Sequence, residues 1–370
     1  MRTIRLMAAA LLSVGVLVLT IGVVQTAVAG VGSPVVIWPT PGDSKDPTIG
    51  YGNNITHAVW IEADWIVHSY NAGLGWTAPI SVALGDEPAL VVDRNGVPQL
   101  VFTALISSTT NVYHARFISP TWTAPIRIST GANNTAAPDI AVAPDNRLDI
   151  VWSEVRPLTT TNQIEIAEST NGGVSWPSAG PILDARGNAP RIAIGSDGVT
   201  HVVWQDDTAS PFHINHVQRS TGTWSVAAIV SSQTASAFTP DVAAIVGQAH
   251  IVWKQDNAIQ YTHGSGIAFS TPTAISSSSG SEPAIAATSY GALIAAWDAG
   301  TTITARMGGP TGWGNEQPLG SNANGVNHVA LTSGPNGSIY AVFAAGANGS
   351  RDIEFNSFAT AVVYLPLVLK

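Results

Sequence analysis

Three residues of opposite charge occupy one recurring place in this sequence. Asp139, Arg191 and Asp241 directly follow Pro138, Pro190 and Pro240. Two carboxylates flanking a guanidinium can bind a ligand through charge-assisted hydrogen bonds, or they can satisfy one another as a salt-bridge cluster. A carboxylate pair can also act as general acid and base on a glycosidic bond. Glu154, Asp206 and Asp207 belong to the same stretches of chain and would extend such a site.

The elements that position these residues repeat. Pro190 opens an apolar strand, a Ser-Asp-Gly turn follows, and a second apolar strand ends at Trp204. The same phrase links Pro47 to Trp60, Pro88 to Phe102, Pro138 to Trp152, Pro240 to Trp253 and Pro283 to Trp297, with a looser copy from Asn327 to Phe343. A third strand follows each time. A fourth begins at Trp76, Trp122, Trp176, Trp224, Phe269 or Trp313. A repeat of about 40–50 residues carrying four strands is the signature of a propeller. The expected fold is therefore all-β, a seven-bladed β-propeller of four-stranded antiparallel blades. Six or eight blades also fit the less regular first and last units. The seventh unit lacks a fourth strand, and Pro34–Pro39 supplies one that would close the ring and remove free sheet edges.

In such a ring the first strand of each blade is innermost, so the residue after each proline faces the mouth of the central channel. Thr48, Ala89 and Ala284 are small there, which sets Asp139, Arg191 and Asp241 apart. Loops entering the first strand and leaving the second share one face, and most of the acids fall on it. That face would attract cations such as Ca²⁺ or hydrogen-bond polyhydroxylated ligands, or its acids simply solvate the surface. No dedicated metal motif is present. His57, His201 and His250 share one repeat position on the first, fourth and fifth repeats, which do not bring three ligands to one centre, and packing explains them better than ligation.

Ser169-Thr-Asn171-Gly-Gly173-Val-Ser-Trp176 resembles the Asp-box of sialidase-like, BNR-repeat propellers, with Asn171 in place of the aspartate. Ser69 to Trp76 is a more degenerate copy. The resemblance implies a structural turn between the third and fourth strands, opposite the face where that family carries its active site. The family's three substrate-binding arginines and its Tyr–Glu nucleophile pair have no match here beyond Arg191, so the resemblance implies the fold rather than the activity.

Residues 1–29 read as a secretory signal peptide, with an uncleaved N-terminal anchor as the alternative because the apolar run approaches a spanning length. Arg2 and Arg5 precede an apolar run, and Ala27-Val-Ala29 is a cleavage site. Residues 30–360 form the propeller and residues 361–370 a tail. The tail resembles the short YLP-containing C-terminal signature of exported proteins of Chloroflexi-type bacteria, which implies an extracellular or envelope-associated product. Alternatively, it packs as an edge strand. The chain has no cysteine, so core burial alone must hold an exported product together. Its net charge of −9 argues against nucleic acid as a partner. No membrane span is expected after the leader, and a monomer is expected. These features point to a secreted, non-catalytic propeller that binds a glycan, peptide or protein through its acidic entry face. The alternative is a carbohydrate-active enzyme, a glycoside hydrolase or lyase, using the entry-face carboxylates.

Overall fold

The computed structural model describes residues 23–40, 42–106, 108–155, 162–288 and 290–365. The chain folds into seven antiparallel sheets arranged as a closed ring, a seven-bladed β-propeller with almost no helix. The inner strands are Ser44–Gly52, Asp86–Val92, Thr135–Val142, Asn188–Ile194, Ala237–Ile245, Ser281–Ala287 and Val326–Ser333. We number the blades one to seven in that order. Each inner strand packs against those of both neighbours, and the seventh packs against the first. In blades two, four, five and six the outer strand is split into two short pieces.

The second-strand aromatics hold the blades together. Trp60, Phe102, Trp152, Trp204, Trp253, Trp297 and Phe343 are each at most 1% exposed. Each wedges into the preceding blade. Trp204 packs on Val151, Ile164 and Ile182 of blade three, and Trp60 on Val342, Ala344 and Ile353 of blade seven. A large flat ring fills the widening gap between twisted sheets and buries much apolar area. Glycine clears space for it at four seams. A Cβ on Gly320 would lie 2.1 Å from the Phe343 ring, and one on Gly85 would lie 2.7 Å from Phe102.

A hydrogen bond crosses each seam beside the wedge. The residue opening an inner strand donates to a carbonyl in the preceding blade's second loop. Gly85 N donates to Asp64 O (3.2 Å), Gly187 N to Asn162 O (3.0 Å), Ala237 N to Phe212 O (2.9 Å), Gly280 N to Asn257 O (3.2 Å) and Val326 N to Gly300 O (3.1 Å). The Thr135 hydroxyl makes the contact at the third blade (3.2 Å to Thr110 O), and Ser44 N to Arg351 O (2.9 Å) closes the circle.

The last blade is completed by the N-terminal segment, as its missing fourth strand requires. Val35–Val36 pairs with Glu354–Phe355, and Ile37 N donates to Ile353 O at 2.8 Å. Arg351 grips Asp43 with two guanidinium nitrogens (2.8 and 2.6 Å) and holds its carboxyl down to about 2. Upstream, Val23–Val31 pairs with Phe358–Leu365. The expected leader thus overlaps this strand, and its residues 1–22 lie outside the described residues. The first half of the tail continues the last strand to Leu365, and residues 366–370 lie outside the described residues. Among the described residues no helix is long and apolar enough to cross a membrane.

Truncating a wedge removes buried contacts on two blades at once. Trp204→Ala is expected to lower unfolding free energy by about 3–5 kcal/mol in denaturant titrations. A loss under about 1 kcal/mol would show that the seams do not depend on the ring.

Candidate functional site

Every inner strand carries the same bulge. Pairing with the second strand slips by one residue just before the position of the repeat proline in all seven blades. The residue before that position has a positive φ each time: Asp46 (50°), Glu87 (51°), Ala137 (50°), Ala189 (49°), Thr239 (48°), Glu282 (48°) and His328 (53°). A left-handed non-glycine residue before proline runs against local preference and costs about 1–3 kcal/mol, so the ring imposes it. The consequence is a second ring of side chains at the channel mouth beside the ring that follows the prolines.

The two rings complement each other around the mouth. After the proline, blades three to five carry Asp139, Arg191 and Asp241, while blades six, seven and two carry Ala284, Ala330 and Ala89. Before it, blades three and four carry Ala137 and Ala189, while blades six, seven and one carry Glu282, His328 and Asp46. Each arc is thus a cation between two acids, and the arcs face one another across a cavity of about 540 Å³ that all six charged residues and Glu87 line.

The first arc is not a closed salt-bridge cluster. Asp139 accepts from Ile192 N of the next blade (2.9 Å) and from Ile140 N (2.9 Å). Asp241 accepts from Ile285 N of the next blade (2.7 Å). Thr48 makes the same link to Leu90 N (3.3 Å). Arg191 donates to Pro190 O (3.0 Å), and among the described residues no ion pair joins it to either aspartate. Burial pushes both carboxyls up despite the nearby Arg191, and Asp241 reaches about 7. The arc therefore offers a carboxyl that holds its proton near neutrality, a second carboxyl, and a guanidinium with N–H donors to spare.

The second arc is locked. His328 contacts Asp46 through Nδ1 and Glu282 Oε1 through Nε2 (3.2 Å), and its backbone N–H donates to Glu282 Oε2 (3.1 Å). Burial alone would lower the imidazole pKa, but the two carboxylates outweigh it and raise it to about 10. Burial pulls Asp46 and Glu282 up, and His328 more than offsets it, so both end below their usual range. Sequence reasoning missed this arc. Asp46, Glu87 and Glu282 share a place directly before the proline, and that shared place was the available signal.

Glu154 and Asp206 end second strands on the entry face and Asp207 follows the latter, but none is part of the cavity lining. Glu154 is buried and accepts from Asn133 Nδ2 (2.8 Å). Asp206 caps Thr208 N (3.0 Å) and accepts from Asn215 Nδ2 (2.8 Å). Asp207 accepts from Asn188.

On the opposite face the Ser169–Trp176 turn is tied together locally. Asn171 Oδ1 accepts from Ser175 N (3.0 Å) and Ser169 Oγ accepts from Gly173 N (3.0 Å). Gly173 has φ 76° and lies against His114 and Gln99 of blade two, where a Cβ would approach within 2.4 Å. Trp176 meets His114 edge to face at 5.0 Å. The repeat-position histidines are buried in pairs: His57 with His68 (3.0 Å), His201 with His216 (3.0 Å) and His250 with Tyr261 (2.8 Å). Among the described residues no group of three or more His, Cys, Asp or Glu is arranged to hold a metal.

No protein-family model matches the sequence, and no curated protein matches it. Solved structures do share the fold. A polysaccharide lyase, an ulvan lyase of family PL25, superposes with a TM-score of 0.58 at 10% identity, covering 90% of this chain and 95% of that one. An α-L-arabinanase of Penicillium chrysogenum in complex with arabinobiose gives 0.56 at 13% identity, covering 74% and 93%. NanB sialidase of Streptococcus pneumoniae gives 0.50 at 13% identity, covering 88% and 70%. At these identities the likeness is one of fold.

The ionisable groups predict a stability optimum near neutral pH. Burial holds His57, His201 and His250 at about 4 and His68, His114 and His216 at about 3. The unfolded chain binds these protons first, so stability falls as pH drops below about 6.5 toward these values. His328 works in the other direction. Its contribution is complete below about 6.5 and is lost as pH rises toward about 10. Melting temperature against pH should therefore be bell-shaped, and His328→Gln should flatten the alkaline limb while the histidine-driven fall below about 6.5 remains. An alkaline limb unchanged in that variant would contradict the assignment.

Proposed function

We propose that this chain is a carbohydrate-active propeller that draws a polysaccharide across the entry mouth of its channel and breaks it at the Asp139–Arg191–Asp241 arc. The observation that carries this reading is a roughly 540 Å³ cavity in which two acids and an unpaired guanidinium converge. The shared fold with an arabinanase, an ulvan lyase and a sialidase supports it. For hydrolysis, Asp241 would give its proton to the leaving-group oxygen. Asp139 would take a proton from the water that adds to the anomeric carbon. The positive charge of Arg191 would steady whichever carboxylate is ionised.

A second reading, β-elimination, is favoured by the free N–H donors of Arg191. A uronate carboxylate paired with that guanidinium would acidify the adjacent C–H, whose proton a neighbouring base removes as the glycosidic oxygen leaves. The leader-like N-terminal segment and the YLP tail support an extracellular or envelope setting, where such polymers occur. Within this reading the Ser169–Trp176 turn is an Asp-box-like structural element with Asn171 in the aspartate's place.

The test is incubation of the purified protein with arabinan, ulvan and sialylated glycans, reading reducing ends for hydrolysis and ultraviolet-absorbing unsaturated products for elimination. Asp241→Asn is expected to cut turnover by about 10²-fold or more, and the wild-type rate should fall as pH rises past about 7, where Asp241 loses its proton. Tight binding with no turnover at any pH would replace this reading with a non-catalytic glycan receptor. Full activity in the Asp241→Asn variant would remove the arc from the chemistry.

A further inference from the structure

On the same face, two aromatic rings meet at the seam between blades four and five. Phe212 and Phe238 stand edge to face with centroids 5.8 Å apart; Phe212 is half-buried and Phe238 is 36% exposed. Phe238 lies two residues before Pro240, at the bulge position where the other blades carry Lys45, Asp86, Ala136, Asn188, Ser281 and Asn327. An aromatic ring there is an exception, and the repeat does not require it. The wedge of blade five is a different residue, Trp253, which is fully buried.

We propose that Phe238, propped by Phe212, offers a stacking platform for one sugar ring of the bound glycan, a subsite beside the Asp139–Arg191–Asp241 arc. This rests on the glycan reading above. Phe238 is three residues from Asp241 on one inner strand, which puts the platform at the rim of the mouth, outside the residues that line the cavity. The axial C–H groups of a sugar carry partial positive charge and suit the negative face of an aromatic ring, while its hydroxyls need polar groups at the edge. The segment that leads to Phe212 carries Asp206 and Asp207, whose carboxylates are held by Thr208, Asn215 and Asn188. The platform is also fixed in advance. Ala237 N donates to Phe212 O (2.9 Å), and Phe212 N donates to Ser236 Oγ (3.1 Å). Little side-chain or loop ordering then opposes binding.

The experiment is calorimetric titration of the full chain with arabino-oligosaccharides and ulvan oligosaccharides, from disaccharide to hexasaccharide. Wild-type affinity should rise with length. Phe238→Leu keeps an apolar side chain without the ring face, and it should weaken the longer ligands by about tenfold while leaving the disaccharide unchanged. Phe238→Trp should bind at least as tightly as wild type. Equal affinity of wild type and Phe238→Leu at every length overturns the platform but leaves the glycan reading standing. A uniform loss at all lengths, with a lowered melting temperature, marks Phe238 as structural and also overturns the platform. A wild-type chain that binds none of these sugars overturns both.

Discussion

The structure depends on seven seams that must all be made for any one to be secure. Each seam joins an aromatic wedge to a hydrogen bond from the head of one inner strand to a loop carbonyl of the blade before it. With no disulfide available, the ring is held by burial and by this chain of bonds. The closing seam is reinforced where a free edge would otherwise remain. There the Arg351–Asp43 ion pair is bidentate and the N-terminal segment pairs along the last blade.

That closure also builds the channel mouth. Seven inner strands converge on one axis, and each bulges at the same place, forcing a left-handed residue before the position of the repeat proline. Strain repeated seven times belongs to the architecture. Its by-product is two rings of outward-reaching side chains where an unbulged strand would supply one. Blades three to five place their charges in one ring, and blades six, seven and one place theirs in the other. The first arc keeps an unpaired guanidinium and a carboxyl near neutrality, whereas the second spends its charges on itself through His328. The mouth is therefore asymmetric, with one side open for chemistry and the other fixed.

How far the sequence carried this account follows from which signals were periodic. The wedges and the prolines repeat, so seven blades and closure by the N-terminal strand could be read from spacing. The residues after the prolines could likewise be assigned to the mouth. The ring before the prolines was hidden, because a residue preceding proline is expected to be extended, and tertiary closure overrides that preference here. His328 was harder still, since the seventh copy has Val329 where the others have proline. Glu154 and Asp206 end second strands and Asp207 follows one; neighbouring groups hold all three carboxylates, and they stay outside the cavity lining. Nothing periodic marks Phe212 or Phe238, whose meaning comes from the seam that brings them together.

The central claim is that the open arc at the entry mouth is where a glycan is held. The most direct measurement is a crystal structure of the full chain soaked with the oligosaccharide it binds most tightly. The account predicts sugar density across the mouth, with hydrogen bonds to Arg191 and Asp241. Density confined to the opposite end of the channel, beside Asn53 and Arg94, or to the outer strands of the blades, would contradict it.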